Sequence, residues 1–149
     1  MTKPKLDLEI FDTKTSFKDI GLIDELQKSI DKAGFEHPTV IQSKLIPLAL
    51  SGGDILGQSR TGSGKTAAFG LPALQIMQED DAFGALILVP TRELAIQVCH
   101  ELRELGRFTK LHPVPIYGGQ KINTQIEKLK ANPQIIVGTP GRVMDLHQR

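Results

Sequence analysis

Ser59-Arg60-Thr61-Gly62-Ser63-Gly64-Lys65-Thr66 is the stretch whose reading decides the fold. It is spelled as a phosphate-binding loop. Gly62 and Gly64 lack a Cβ, so the backbone can curl its N–H groups inward around phosphate oxygens. Lys65 would reach β- and γ-phosphates, and the Thr66 hydroxyl would ligate Mg²⁺. The context agrees: the apolar run Asp54-Ile55-Leu56-Gly57 precedes it as an expected strand, and Ala67-Ala68-Phe69 opens an expected helix whose dipole adds positive character. Ser59 stands where the general pattern has Gly, a small residue in place of a smaller one. The competing reading is a flexible Gly/Ser turn that happens to precede a lysine, and the strand, loop and helix in order argue against it.

Working outward, 149 residues with 40% hydrophobic content are enough for one globular domain with a buried core. Lys+Arg 18 against Asp+Glu 17 gives a net charge of +1, so charge alone neither signals nor excludes a nucleic-acid partner, and any basic groove has to be local. Cys99 is the only cysteine, which excludes an intrachain disulfide and suits a reducing, cytoplasmic setting. It falls on the apolar side of a helical pattern, so a buried small hydrophobe is the better reading than a reactive thiol. Residues 1–15 mix charges without an apolar core of signal-peptide length and are expected to form a flexible tail, and neither export nor membrane insertion is expected.

After the tail, Leu22, Ile23, Leu26, Ile30 and Ala33 recur at helical spacing, and Gly34 is placed for a C-terminal cap. Pro38 leads into a second helix that Pro47 should distort or end, and Pro72 should bend the helix running from Lys65 to about Gln78. Ala85 to Val89 is continuously apolar, as in a strand covered on both faces of a parallel sheet. A helix through Leu94, Ala95, Val98, Leu102 and Leu105 follows Pro90. Then come a strand over Val114–Tyr117, a helix over Thr124–Lys130, a strand over Gln134–Val137 and a helix beginning at Gly141. Such alternation predicts an α/β domain with a mostly parallel sheet and a ligand edge at the carboxyl ends of its strands. His37, His100, His112 and His147 show no metal-ligand spacing.

These motifs together resemble the amino-terminal RecA-like domain of a DEAD-box ATP-dependent RNA helicase. Gly34-Phe35-Glu36-His37-Pro38-Thr39-Val40-Ile41-Gln42 is similar to the family's adenine-reading Q motif, with the isolated aromatic Phe17 upstream. Pro90-Thr91-Arg92-Glu93-Leu94-Ala95 is similar to motif Ia, Gly118-Gly119 to the GG element, and Thr139-Pro140-Gly141-Arg142 to motif Ib. The resemblance implies a P-loop, RecA-like, three-layer α/β domain, here truncated before the Walker B strand, with residues 16–44 as a Q-motif region and 45–149 as a partial helicase domain. It implies ATP and Mg²⁺ as cofactors. ATP would be held by Phe17, Phe35, Gln42 and the loop Ser59, Arg60, Thr61, Gly62, Ser63, Gly64, Lys65 and Thr66, with the metal on Thr66. Gln42 suits adenine because an amide donates and accepts at once. RNA would be contacted, without sequence preference, by Pro90, Thr91, Arg92, Gly118, Gly119, Thr139, Pro140, Gly141 and Arg142, since hydroxyls, guanidinium groups and bare N–H groups address phosphate. Against these roles stand blander ones: a core Phe, a helix-surface Gln, and threonines that cap helices after strands.

The resemblance also implies what should follow. The Asp-Glu-Ala-Asp motif belongs beyond the last helix, and Asp24-Glu25 and Glu79-Asp80-Asp81 are wrongly placed to replace it. No catalytic acid or base is therefore assigned within the chain, and a second RecA-like domain is expected in the parent. The parent would be an RNA helicase, and the 149-residue chain alone should turn over almost no ATP. The alternative is a non-catalytic nucleotide- or RNA-binding module. A P-loop kinase or unrelated NTPase is disfavoured by Gln42, Arg92 and Gly141.

Overall fold

The computed structural model describes residues 10–149, which divide into two compact units. One comprises the described residues up to Ile76 together with Leu105–Thr109; the other comprises Met77–Glu104 and Lys110–Arg149.

The first unit is helical. A 3-10 turn at Phe17–Ile20 is closed by a reciprocal cap between Ser16 and Asp19 and ends on the left-handed Gly21. Helix α1, Asp24–Ala33, buries Leu26, Ser29 and Ile30 and stops at Gly34, whose φ of 77° is the conformation a side chain resists. Helix α2, Val40–Leu50, starts at Thr39, and α3, Lys65–Ile76, starts at the end of the phosphate loop. Ile46 of α2 and Ala67, Ala68, Leu71 and Leu74 of α3 supply much of this unit's core. The Gln75 side chain accepts from the Ile23 N–H and donates to the Gly21 carbonyl, which fastens the approach to α1 onto α3.

Several expectations are corrected here. Pro47 does not end α2, which runs on to Leu50. One missing N–H bond is outweighed by burial on the same turn, where Ile46 is fully enclosed. Residues 10–12, expected to belong to a loose tail, are pinned: Phe11 pairs with Thr39 in an antiparallel bridge, the Asp12 N–H donates to the Pro38 carbonyl, and the Val40 N–H donates to the Ile10 carbonyl. Residues 1–9 lie outside the described residues. The expected strand at 54–57 does not form, because no strand lies beside it among the described residues to complete its ladder. Leu56 is consequently 99% exposed. Gly57 runs so close to α2 that a Cβ there would meet Leu45 Cδ1 at 2.5 Å.

The second unit is built on a three-stranded parallel sheet in the order β1-β3-β2, with β1 at Ala85–Leu88, β2 at Pro113–Ile116 and β3 at Ile135–Gly138. Leu86 and Val114 both sit opposite Ile136, so the three strands end level. Helix α4, Arg92–Leu105, follows β1, α5, Ile122–Leu129, joins β2 to β3, and α6, Pro140–His147, follows β3. Central β3 buries Ile135 and Val137 completely. Strand β1 does not match the reading of a strand covered on both faces, since Leu86 and Leu88 are 53% and 55% exposed. Among the described residues it pairs on one side only, and its outward-pointing residues alternate with the covered ones. Cys99 is buried as expected, with its thiol against the Pro113 carbonyl, and burial pushes its pKa up.

Candidate functional site

The first unit gathers the loop at residues 59–66 around Gln42. Thr39 and Gln42 form a capping box at the start of α2, in which Gln42 Oε1 accepts from the Thr39 N–H at 2.9 Å. The other end of the same amide donates to the Gly64 carbonyl at 3.0 Å. One buried side chain thus ties the helix cap to the loop, and a helix-surface position is excluded. Each end of the amide keeps one further bonding direction, because an amide has two donors and an acceptor with two lone pairs.

Gly62 and Gly64 have φ values of 75° and 80°, the left-handed values that turn successive N–H groups toward one side. The Ser59 and Ser63 hydroxyls hydrogen-bond each other at 2.6 Å across the loop, and Ser63 Oγ also donates to the Arg60 carbonyl at 2.7 Å. Ser59, a departure from the general loop pattern, is therefore part of the loop's closure. Lys65 Nζ donates to the carbonyls of Ser59 and Arg60, an ammonium resting on loop oxygens. A cavity of about 560 Å³ opens beside the loop, walled by Ile10, Val40, Ile41, Lys44 and residues 58–63. Lys44 and Arg60 make its rim cationic. Thr66, half-buried, stands in the first turn of α3. Phe17 is buried and stacked on Phe35, with ring centroids 6.3 Å apart and planes 25° apart. Of the two rings, Phe35 is the exposed one and the one a planar ligand could reach.

The second unit brings the other candidates to the carboxyl ends of its strands. Pro90 and Thr91 follow β1, and Thr91 Oγ1 accepts from the Leu94 N–H at 3.2 Å, capping α4. Thr139 precedes α6 without using its hydroxyl as a cap, so the capping role open to both threonines is taken by one. Its N–H instead donates to the Ile116 carbonyl, tying the ends of β3 and β2 together. Pro140 occupies the first turn of α6, and Gly141 beside it is open. Arg92 is 55% exposed, bonded to Glu93, with Nη1 3.7 Å from where a Cβ on Gly119 would lie. Glu93 is held below its ordinary range first by its own backbone N–H and then by Arg92. Arg142 differs: its side chain is only 15% exposed, Nη1 donates to the Gln120 carbonyl at 3.1 Å, and Nε lies 3.7 Å from Asp145.

Sequence reasoning missed Gln125. It is fully buried on α5, accepts from the Tyr117 N–H at 3.1 Å and donates to the Tyr117 carbonyl at 2.8 Å, directly before Gly118-Gly119. A signal existed: Gln125 lies within the apolar stripe of Ile122, Ile126 and Leu129, where a polar residue needs a buried partner.

The chain is similar to known proteins. The model of the DEAD/DEAH box helicase family matches residues 39–149. A DEAD-box ATP-dependent RNA helicase CshA from Geobacillus kaustophilus is 50% identical over 132 residues, which is 88% of this chain and 28% of that protein. The crystal structure of a DEAD box protein from Methanococcus jannaschii superposes with a TM-score of 0.83 at 47% identity, covering 87% of this chain and 36% of that one. Saccharomyces cerevisiae Dbp5 bound to RNA and ADP BeF3 gives a TM-score of 0.80 at 41% identity, covering 90% and 34%. The chain spans little more than a quarter of the length of the curated relative quoted. No helix among the described residues is long and apolar enough to cross a membrane.

Proposed function

The chain belongs to the DEAD/DEAH box helicase family, and from that premise we propose that it carries the ATP-gripping and RNA-gripping surfaces of an ATP-dependent RNA helicase. The observation that carries the reading is the Gln42 bridge, which couples a base-reading amide to the phosphate loop through the Gly64 carbonyl. Adenine offers an acceptor at N7 beside a donor at N6, which answers the one donor and one acceptor direction Gln42 has left. Guanine offers acceptors at both places. Phe35, backed by the buried Phe17, walls the base.

Ser59 to Thr66 cradle the phosphates, and Lys65 exchanges the carbonyls of Ser59 and Arg60 for β- and γ-phosphate oxygens. The Thr66 hydroxyl, a hard oxygen at the loop's end, would hold Mg²⁺, and the ion would supply positive charge against the phosphates. Thr91, Arg92, Gly118, Gly119, Thr139, Pro140, Gly141 and Arg142 hold one RNA strand through its backbone, independently of sequence. Arg92, more than half exposed beside Glu93, presents its guanidinium to that backbone, and Arg142 also supports the loop it bonds.

Unwinding and rapid hydrolysis belong to the parent protein, in which a second RecA-like domain closes on both ligands. Positioning and charge stabilisation make phosphoryl transfer fast, and an arginine finger alone contributes on the order of 10³ to 10⁵ in rate.

Competition of ATP and GTP for a fluorescent ATP analogue, in the wild-type chain and Gln42→Ala, tests the reading. ATP should be preferred by the wild type and lose that preference in the variant. The ratio of the two affinities is independent of the folded fraction, so an unchanged ratio would remove Gln42 from base recognition.

A further inference from the structure

We infer that Gln125 is a positioning residue for RNA: it holds the Gly118-Gly119 loop in the shape that presents its N–H groups to a phosphate. The inference rests on the proposed RNA-binding role of that loop.

The loop leaves β2 at Ile116 and has to turn within a few residues toward α5. Tyr117 lies beyond the ladder, so its N–H and carbonyl have no strand partner. The Gln125 amide supplies both bonds, 3.1 Å to the N–H and 2.8 Å from the carbonyl, as a neighbouring strand would. Being fully buried, it cannot exchange them for water without moving α5. Gly119 then takes a φ of 84°, open to glycine at little cost, with Arg92 Nη1 alongside. On the far side Arg142 grips the Gln120 carbonyl. The buried Oε1 of Gln120 has no hydrogen-bond partner among the described residues. The loop is therefore braced by Gln125 at its entry and Arg142 at its exit, and the bare amides between them are kept in register with Arg92.

The chemistry of a single substitution separates this role from simple packing. In Gln125→Glu the carboxylate still accepts from the Tyr117 N–H but repels the Tyr117 carbonyl. Once protonated, the acid again accepts and donates with nearly the same shape. Burial raises the pKa of such a carboxyl, which brings the switch into a workable range.

The experiment measures binding of a fluorescein-labelled oligouridylate to the 149-residue chain and to its Gln125→Glu variant from pH 8 to pH 5.5, with hydrogen exchange at the Tyr117, Gly118 and Gly119 amides. At pH 8 the variant should bind about tenfold more weakly and exchange these amides faster. The affinity ratio to wild type should return toward one as the pH falls, while the ATP site keeps its wild-type affinity. A variant that tracks the wild type at every pH, or stays weak without recovery, overturns the inference. If the wild type does not retain the oligonucleotide, the RNA reading itself fails and the inference with it.

Discussion

Gly62 and Gly64 offer a matched pair for testing how the phosphate loop is held. Both have left-handed backbones, with φ of 75° and 80°, yet a Cβ on Gly62 would meet nothing within 4 Å. On Gly64 it would overlap Gln42 Nε2 and lie 3.2 Å from Gln42 Cδ and 3.4 Å from Thr39 Cγ2. Alanine in the left-handed region costs about 1–2 kcal/mol, offset by about 0.4–1 kcal/mol from the lost freedom of the unfolded chain. Gly62→Ala should therefore destabilise by no more than about 1.6 kcal/mol. Gly64→Ala carries the same term and also displaces Gln42, breaking its bond to the Gly64 carbonyl in a buried place. That adds about 1–3 kcal/mol. With a urea slope of about 1–3 kcal/mol per molar, the far-UV circular dichroism midpoint of Gly64→Ala should lie on the order of 1 M below that of Gly62→Ala. The Gln42 side-chain amide resonances should shift in Gly64→Ala and stay put in Gly62→Ala. Coincident midpoints and unmoved resonances in both variants would refute the claim that Gln42 is the strut of the loop.

Leu56→Ser should change stability by less than about 0.5 kcal/mol, since the side chain is almost fully exposed, and a larger loss in urea titration would mean that residues 54–57 pack as a strand after all. The Cys99 thiol, buried against Pro113 and raised in pKa, should react slowly with a disulfide reagent at pH 8 and rapidly once urea unfolds the chain. The carboxyls of Asp12 and Asp19 are held below their ordinary range, chiefly by the hydroxyls of Thr15 and Ser16. A folded value below the unfolded one gives stability that is complete above the ordinary carboxylate range and is lost as the pH falls through the folded value. Asp19→Asn should accordingly flatten the acid limb of a stability-versus-pH curve, most visibly below about pH 4.

Local chemistry made much of this protein legible in its residues alone. The turn at residues 59–66 is legible because its glycines permit it, and the left-handed Gly62 and Gly64 adopt what their lack of a Cβ allows. Gly34 ends α1 for the same reason, and the apolar periodicity of Leu94 to Leu105 locates α4. These are properties of a residue and its immediate neighbours. The strand expected at Asp54–Gly57 has the right composition and no ladder, because a strand is a relation between segments and composition cannot provide the second one. Leu86 and Leu88 are exposed on β1 for a related reason. The roles of Gln42, Gln125 and Arg142 were likewise set by distance in the folded chain: each side chain bonds a backbone group on another segment, Gly64, Tyr117 or Gln120. A glutamine in a helix carries no mark of which carbonyl it will find. Spacing along the chain determined which residues share the loop, and only tertiary packing decided which side chains hold it, because a buried amide has to bond whatever backbone the fold brings within reach.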